Sequence, residues 1–420
     1  MDISRRLFFA IFSLLVGMLF AVLPHLETIL AATGDLAIVC TTDTPATERP
    51  DQVTLTWSDD PRTTQAVQWR TDCSVSDGWV QYREKGNDAT TPSELEAKSA
   101  LIDDANLPND LRNYRFSATL QKLRPSTSYL YRAGSKQKDL WSDWAEFRTA
   151  PEGAAPFSFV YMGDAQLGFD RWGPLLHAAF ERSPKPAFCA LAGDNVNVGN
   201  HRNLWDELFK ASAGIFDRYP LVPTLGNHDY SKEEDPHLYR QLLTLPEKGP
   251  QGAMPEHNYS FQYGNALFVV LDSNRPTQAQ AVWLEDLLSH TDAVWKFALY
   301  HHPMYSSKGN RDNEEVRALY GQLFDKYHLD IAMQGHDHAY LRTYPMRAGV
   351  RVNSPAEGTV YVVSVSGSKY YSQDAHDYTQ VGFTDTSVYQ IIDISTNPNR
   401  LTYRTYDPQG TVKDEFSITK

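Results

Sequence analysis

The order of apolar and polar positions divides the chain into two regions with different patterns. From about Val53 to Thr149, short segments such as QVTLTWSDD and SYLYRAGS alternate in polarity and end at Pro, Gly, Asp or Ser. From Phe157 onward, apolar strand-like runs alternate with helical stretches such as NLWDELFKASAGIFDRY. This order predicts an all-β sandwich of about a hundred residues, followed by an α/β sandwich whose sheets are covered by helices.

The first 32 residues have a pattern of their own. Arg5 and Arg6 precede an unbroken apolar run from Leu7 to Leu23, and Pro24 and small residues follow that run. This arrangement predicts a secretory signal peptide over residues 1–32. An uncleaved membrane anchor is the alternative, because the run is long and the cleavage site lacks a clean Ala-x-Ala. We therefore expect a secreted or periplasmic protein, or a membrane-anchored protein with its folded domains outside the cytoplasm.

Composition narrows the classes of partner. The chain has 39 basic and 52 acidic residues, a net charge of −13, and no Lys/Arg-rich run, which argues against nucleic acid as a partner. Three cysteines are few for a secreted chain, so we expect the fold to depend on its core rather than on disulfides. Cys189 lies in an apolar strand pattern, and Cys40 and Cys73 are candidates for a disulfide bond.

Side chains that can bind metals directly follow five apolar runs. These runs end in MGDAQ, AGDNVN, LGNHD, YHHP and QGHDH. The candidate ligands are Asp164, Asp194, Asn227, His301, His336 and His338. Carboxylates and imidazoles together suit first-row transition metals such as Zn, Mn and Fe, whereas an all-oxygen set would favour Mg or Ca. Because ligands gather at the carboxyl ends of strands in α/β folds, the sequence predicts a metal site at this edge of the sheets.

The five blocks, in this order, resemble those of the calcineurin-like metallophosphoesterases and, within that superfamily, the purple acid phosphatases. The segments NYSFQYGNALFVVLDSN and AYLRTYP extend the resemblance, and LRPSTSYLYRAG is similar to a strand of a fibronectin type III domain. The resemblance implies a mixed α+β and α/β chain. A fibronectin type III-like β-sandwich would occupy residues 33–150, and a four-layer α/β/β/α metallophosphoesterase sandwich would occupy residues 151–420.

The resemblance also implies a centre of two metal ions. One ion would be bound by Asp164, Asp194 and His338, and the other by Asp194, Asn227, His301 and His336. A carboxylate suits the shared position of Asp194, because its two oxygens can bind two cations and offset part of their repulsion. Gln166 either contacts the first ion through its carbonyl oxygen or lines the site.

Two residues near the five blocks, Asn197 and His302, are not among the expected ligands. The tyrosine that colours the purple enzymes has Asn197 in its place, so we expect a colourless or pale protein. His302 follows the ligand His301 directly and would point away from the metals if the backbone is extended there.

The activity implied by the resemblance is hydrolysis of phosphate monoesters by attack of a hydroxide held between two Fe, Zn or Mn ions. His228 would bind a phosphoryl oxygen or protonate the leaving alkoxide, and Asp229 would orient the imidazole of His228. Asn227 would lie beside the bound substrate as well as binding metal. Lys308 and Arg311 are candidates for contacts with phosphate oxygens, with a solvated loop charge as the alternative for each.

Two other functions stay open from the sequence. The same centre would serve a phosphodiesterase that acts on nucleotide or phospholipid diesters, and a secreted binding protein could keep the fold without turnover. In each catalytic case the expected partner is a phosphate ester. Contact with a membrane is expected only if the N-terminal segment is uncleaved.

Overall fold

The computed structural model describes residues 40–87, 90–182, 184–231 and 235–420. The predicted signal peptide or anchor over residues 1–32 lies outside the described residues. Within the described part of the chain, no helix has both the length and the apolar character needed to cross a membrane.

The N-terminal part is a β-sandwich of two antiparallel sheets. Its strands are β1 (Asp51–Thr56), β2 (Gln65–Asp72), β3 (Trp79–Glu84), β4 (Ser93–Glu96), β5 (Lys98–Asp103), β6 (Arg112–Leu120), β7 (Ser128–Ser135), β8 (Leu140–Trp141) and β9 (Ala145–Arg148). One sheet has the order β1-β2-β6-β5, and the other has the order β4-β3-β7-β8 with β9 paired to β7. Alternating apolar residues such as Trp69, Phe116 and Tyr131 face inward and form the core between the sheets.

At one end of this sandwich, the side chain of Tyr129 forms a hydrogen bond with the backbone of a preceding loop. The hydroxyl oxygen of Tyr129 accepts a hydrogen bond from the backbone N–H of Arg124 at 2.9 Å. This backward contact from the start of a strand is the tyrosine corner of immunoglobulin-like sandwiches. It lies within LRPSTSYLYRAG, the segment that suggested the fibronectin-like domain.

The cysteines do not support this sandwich covalently. Within the described residues, no disulfide joins Cys40 to Cys73. Cys189 is buried in a strand of the second region, where the apolar pattern predicted it.

The C-terminal part contains two larger sheets that pack face to face. Their orders are β12-β11-β10-β22-β23-β24 and β13-β14-β15-β16-β20-β17-β21. Their strands are β10 (Phe157–Met162), β11 (Cys189–Leu191), β12 (Leu221–Pro223), β13 (Tyr259–Tyr263), β14 (Ala266–Val270), β15 (Trp295–Leu299), β16 (Ile331–Gln334), β17 (Tyr340–Thr343), β20 (Val360–Val363), β21 (Thr379–Phe383), β22 (Tyr389–Thr396), β23 (Asn399–Tyr406) and β24 (Val412–Thr419). Strands β18 (Met346–Arg347) and β19 (Val350–Arg351) form a separate two-stranded sheet. The strands β10 to β12 pair in parallel, and so do β14, β15, β16 and β20. The predicted domain boundary at residues 150 and 151 falls between β9 and β10.

Helices cover the outer face of each large sheet. The helices of this part are α1 (Phe169–Phe180), α2 (Arg202–Ala211), α3 (Asn227–Tyr230), α4 (His237–Leu242), α5 (Gln278–His290), α6 (Glu314–Val316), a π-helical turn (Arg317–Gly321) and α7 (Gln322–Tyr327), of which α3 lies at the end of β12 rather than on an outer face. The apolar faces of α1 and α2 join the core on the side of the first sheet, and α5 and α7 form a separate core with the outer face of the second sheet.

Phenylalanines fill the space between the two large sheets. Phe159 stacks on Phe188 with ring centroids 5.1 Å apart, and Phe268 stacks on Phe297 at 4.9 Å. Phe159 also meets Phe268 edge to face at 5.1 Å, which joins the two pairs. The order of layers is therefore helix, sheet, sheet, helix, and the predicted fold class is confirmed.

Buried charges lie where the sandwich meets helix α2. Arg70 of β2 donates hydrogen bonds to Asp51 at 2.7 and 2.9 Å, to Asp206 at 2.9 Å and to Asp110 at 3.3 Å. Arg202 of α2 donates to Asp110 at 2.7 Å. These five residues form what we call the Arg70 cluster. Because Asp206 and Arg202 belong to α2, the cluster joins the sandwich to the larger region.

Candidate metal centre

The structure brings all six predicted metal ligands together. Asp164, Asp194 and Asn227 follow β10, β11 and β12 of the first large sheet, and His301, His336 and His338 follow β15 and β16 of the second. The carboxyl ends of these strands meet at one edge because these particular strands run parallel within their sheets and the sheets lie face to face. Side chains from both sheets therefore converge between the layers.

One group of side chains surrounds Asn227. The Oδ1 atom of Asn227 lies 3.0 Å from Nδ1 of His336 and 3.2 Å from Nε2 of His301. The same two ring nitrogens of His336 and His301 are 3.2 Å apart. His301 is fully buried, whereas Asn227 is exposed and His336 is half-buried, so this side of the centre opens to solvent.

A second group surrounds His338. Its Nε2 atom lies 2.8 Å from Nε2 of Gln166 and 4.0 Å from Oδ1 of Asp164. Asp194 lies between the groups, because its Oδ2 atom is 3.3 Å from Nε2 of His301 and 3.3 Å from Nε2 of Gln166. Asp194 is therefore close to both groups, while its shared role and the allocation of each ligand to an ion stay predictions.

The backbone is strained at four of these ligands. Asp164, Asp194, His336 and His338 have φ angles of 37, 49, 75 and 48°, in the left-handed region that non-glycine residues rarely adopt. Such conformations cost about 1–3 kcal/mol each and concentrate at functional sites. Each strand turns sharply at its end, and the turn directs the ligand inward. Gly193 has a φ of 82°, and a Cβ atom there would lie 2.7 Å from Nδ1 of His301.

Main-chain groups fix the orientation of the ligands. The N–H of His336 donates to Oδ2 of Asp164 at 2.8 Å, and the N–H of His228 donates to Oδ1 of Asp194 at 2.8 Å. Nδ1 of His301 lies 2.8 Å from the carbonyl oxygen of Ala192. Because a carbonyl oxygen only accepts, Nδ1 carries a proton, and the neutral ring therefore presents a lone pair from Nε2 to the centre.

His338 has the same arrangement as His301. Its Nδ1 lies 3.1 Å from the carbonyl oxygen of Lys369, so its Nε2 also presents a lone pair to the centre. Both imidazoles are thus held in the tautomer that binds a metal through Nε2.

Burial and charge together shift the pKa values of the centre. Burial raises the pKa of Asp164 well above its usual range. Burial opposes ionisation of Asp194 too, but the neighbouring His301 lowers the pKa of Asp194 to about 2. Burial disfavours the charged form of His301, yet Asp194 raises the pKa of His301 to about 9. Burial lowers the pKa of His338 to about 4 and that of His336 well below its usual value, which favours the neutral, metal-binding form.

Two buried oxygens test whether these residues fit metal ions. Oδ1 of Asp164 and Oε1 of Gln166 have no hydrogen-bond partner among the described residues. An unsatisfied buried acceptor costs about 1–3 kcal/mol, and metal ligation would satisfy Oδ1 of Asp164. Gln166 faces the centre with its amide nitrogen, so contact of its carbonyl oxygen with an ion stays a prediction. The ligand atoms of Asp164, Asp194 and His301 also lie within 4.8 Å of one another. This donor set of carboxylate oxygens and imidazole nitrogens fits first-row transition metals.

The orientation predicted for His228 is wrong in one respect. Nδ1 of His228 lies 2.7 Å from the main-chain oxygen of Asn197, and Asp229 does not orient the ring. The Asp229 carboxylate instead accepts from the N–H and side-chain amide of Asn195 and from the N–H of Gly226, at 2.8 to 3.0 Å. Asp229 thus joins the loops that carry Asp194 and Asn227. Adjacent residues on the short helix α3 point in different directions, which the sequence order did not reveal.

The two cations predicted to contact phosphate have different surroundings. Arg311 donates from Nε to Oδ1 of Asp337 at 2.9 Å and from Nη2 to the main-chain oxygen of His336 at 3.0 Å. It therefore anchors the loop that carries both His336 and His338. Lys308 is exposed on the loop after β15. A direct contact of Lys308 or Arg311 with substrate stays a prediction.

His302 lies at the centre, contrary to the expectation that it points away. Strand β15 ends at Leu299 and the chain bends at His301 and His302, so the alternation of an extended strand does not apply there. One ring nitrogen from each of His301, His302 and His336 lies within 4.8 Å of the others. The doubled histidine in YHHP was the available signal, and it was missed because the strand was assumed to continue.

Two family models match the chain. The description "Purple acid Phosphatase, N-terminal domain" matches residues 50–149, and "Calcineurin-like phosphoesterase" matches residues 157–340. The first covers the β-sandwich, and the second covers the strands and loops that supply the predicted ligands.

Curated relatives and solved structures agree with the models. "Fe(3+)-Zn(2+) purple acid phosphatase 12" of Arabidopsis thaliana is 25% identical over 71% of this chain and 66% of its own length. "Acid phosphatase type 7" of Homo sapiens is 27% identical over 71% of each chain. Several other curated relatives are matched over about half of their own length. A purple acid phosphatase from yellow lupin seeds has the same fold, with a TM-score of 0.77, 19% identity, and coverage of 89% of this chain and 74% of that chain.

The fold and the centre define the class of protein: the chain belongs to the calcineurin-like metallophosphoesterases. Its sandwich and its relatives narrow the class further. The chain is a purple acid phosphatase-like member of that superfamily, with the family's N-terminal domain in front of the phosphoesterase domain.

Proposed function

We propose that the chain is a secreted phosphatase that hydrolyses phosphate monoesters with two transition-metal ions. The observation that supports this proposal is the convergence of six oxygen and nitrogen ligands from both large sheets on one strained, partly buried edge. Among the described residues, no Lys or Arg forms an ion pair with Asp164 or Asp194, so their charge is left to be offset by bound cations. Secretion is supported by the pattern of residues 1–32.

The proposed ligand sets follow the two groups of side chains. His338 and Asp164 would hold one ion and Asn227, His301 and His336 the other, with Asp194 shared. Iron, zinc and manganese suit these ligands. The bound ions would supply Lewis acidity and lower the pKa of water at the centre to about 7.

His228 is the residue that would donate a proton to the substrate during hydrolysis. Its Nδ1–H donates to the carbonyl oxygen of Asn197, which fixes the ring and leaves Nε2 for the substrate. When the ring is protonated, Nε2–H can donate to a phosphoryl oxygen or transfer its proton to the leaving oxygen. The half-buried position of His228, next to exposed Asn227, puts it at the open side of the centre.

The preference for monoesters is tested with two substrates. The mature protein is reconstituted with Mn, Zn or Fe and assayed with p-nitrophenyl phosphate and with bis(p-nitrophenyl) phosphate. Turnover of the monoester well above the diester is the expected result. A preference for the diester would replace the proposal by a phosphodiesterase with the same centre. Bound metal without turnover of either ester would contradict an enzymatic role.

A further inference from the structure

The hydroxyl of Ser273 determines which nitrogen of His302 carries the proton. Ser273 Oγ accepts hydrogen bonds from the backbone N–H of His301 at 3.2 Å and from that of His302 at 2.9 Å. A serine hydroxyl has two lone pairs and one proton. With both lone pairs used, its proton is directed to Nδ1 of His302, which lies 3.0 Å away. Nδ1 therefore accepts, and the neutral ring carries its proton on Nε2.

This tautomer is the opposite of that found in the neighbouring ligands. His301 and His338 donate from Nδ1 to carbonyl oxygens and so present a lone pair from Nε2. His302 presents an N–H from Nε2, and a protonated nitrogen cannot bind a metal. His301 and His338 can therefore bind a metal through Nε2, whereas His302 can only donate a hydrogen bond from Nε2.

The surrounding loop holds Ser273 in place. Ser273 is buried just after β14, where the N–H of Leu271 donates to the carbonyl oxygen of Leu299 at 2.9 Å. The next residue, Asn274, donates from its side chain to the carbonyl oxygen of Leu225 at 3.1 Å. The loop is therefore fixed both to the end of β15 and to the segment that leads to Asn227.

The position of the His302 ring places this donor beside the open side of the centre. Its ring centroid lies 4.5 Å from that of His336 and 5.0 Å from that of His301. His302 is half-buried, and its Nε2 has no hydrogen-bond partner among the described residues. A donor next to bound cations suits an anionic acceptor such as a phosphoryl oxygen.

We propose that Nε2–H of His302 donates a hydrogen bond to a non-bridging phosphoryl oxygen of the substrate, and to inorganic phosphate, at the side formed by Asn227, His301 and His336. This inference rests on the proposed function for the identity of the substrate. His302 is accordingly a substrate-contacting residue, and Ser273 is the residue that positions it and fixes its tautomer.

The test measures phosphate binding separately from metal binding. Wild type, His302→Leu and His302→Gln are loaded with zinc, metal content is measured by mass spectrometry, and inorganic phosphate is titrated by calorimetry. We expect unchanged metal content in all three proteins. The dissociation constant for phosphate should rise about tenfold in His302→Leu, because one hydrogen bond to a charged acceptor is lost. His302→Gln should recover most of the affinity, since its amide can place an N–H near the same point.

Nitrogen NMR supplies a readout independent of affinity. In the zinc-loaded wild type, the His302 signal, assigned by its absence in His302→Gln, should show the proton on Nε2. A proton on Nδ1 would overturn the inference. So would loss of zinc from His302→Leu, which would make His302 a metal ligand, or unchanged phosphate affinity in that variant.

The inference and the proposed function can fail separately. If wild type binds zinc and phosphate but hydrolyses neither ester, and the variant binds phosphate weakly, the proposed function fails while the contact at His302 stands. If wild type hydrolyses the monoester while His302→Leu keeps normal phosphate affinity, the contact fails while the function stands.

Discussion

The Arg70 cluster and the metal centre both bury carboxylates, but they offset the charge differently. In the Arg70 cluster, Asp110 pairs with Arg70 and Arg202, and Asp206 pairs with Arg70. Among the described residues, no Lys or Arg forms an ion pair with Asp164 or Asp194, whose ion-pair partners are imidazoles.

This difference indicates that the Arg70 cluster stabilises the fold, whereas the metal centre is suited to bind ions. The Arg70 cluster needs no added cation, because its arginines belong to the chain, although Oδ2 of Asp206 and Nε of Arg202 have no hydrogen-bond partner among the described residues. In the metal centre, the described residues offer Asp164 and Asp194 no Lys or Arg partner, and cations from solution would supply the missing charge. The two regions should therefore respond in opposite ways to mutation and to metal removal.

The largest effect is expected from Asp194→Asn. Loss of the shared carboxylate should reduce bound metal and lower kcat/KM for p-nitrophenyl phosphate by at least about 10³-fold. Metal content and steady-state kinetics are the measurements. Asp170→Asn makes the same chemical change at an exposed position of α1 and should alter neither quantity. Unchanged turnover in Asp194→Asn would remove Asp194 from the centre.

Breaking the Arg70 cluster should affect stability rather than chemistry. In Arg70→Met the buried carboxylate of Asp206 loses its charged partner, so the free energy of unfolding should fall by about 3–5 kcal/mol. Urea denaturation of the metal-loaded protein measures this loss. Arg112→Met removes an arginine whose pair with Asp103 is exposed, and its effect should stay below about 1 kcal/mol. Equal effects of the two substitutions would contradict the role of the buried cluster.

Metal removal should distinguish the two regions directly. At a free metal concentration about 100 times the dissociation constant, binding stabilises the folded state by about 2.7 kcal/mol, and a chelator should remove this contribution. The chelator should not change the free energy of unfolding of Asp194→Asn. In Arg70→Met it should lower that free energy by as much as in wild type, because distant sites act additively. Denaturation with and without chelator measures it. A chelator effect of wild-type size in Asp194→Asn would contradict the assigned centre.

The smallest effect is expected from Arg311, which contacts the histidine loop. Arg311→Met removes the bonds to Asp337 and to the main chain of His336, so metal affinity should weaken about tenfold. Competition with a chelating dye measures metal affinity, and Lys308→Met serves as a control on the same loop. Normal metal affinity with a raised KM would instead show that Arg311 contacts substrate.

The sequence predicted the parts of the molecule that depend on local pattern. Each candidate ligand follows an apolar run, and the parallel pairing of β10 to β12 and of β14 to β16 brings those positions to one edge. The sandwich was predictable for the same reason, since its strands alternate in polarity and Tyr129 lies in a recognisable segment.

The parts that were missed depend on directions and on distant partners. The direction of His302 depends on where β15 ends, and the partner of His228 is a main-chain oxygen at Asn197, which side-chain identity cannot reveal. The Arg70 cluster joins residues up to 136 positions apart, with no local signal that links Arg70 to Asp206. Such contacts follow from packing of complete layers rather than from any one segment.

Because the ligands come from two sheets, the metal centre cannot be complete before those sheets pack together. Asp164 and His336, which meet through a backbone hydrogen bond, are 172 residues apart in the sequence. A contact of such long range requires the intervening chain to be brought together, at an entropic cost that grows with the length of the loop. The complete ligand set therefore exists only after both sheets have folded and packed. For an exported chain, the metal supply of the compartment where folding finishes would then decide which ions occupy the centre.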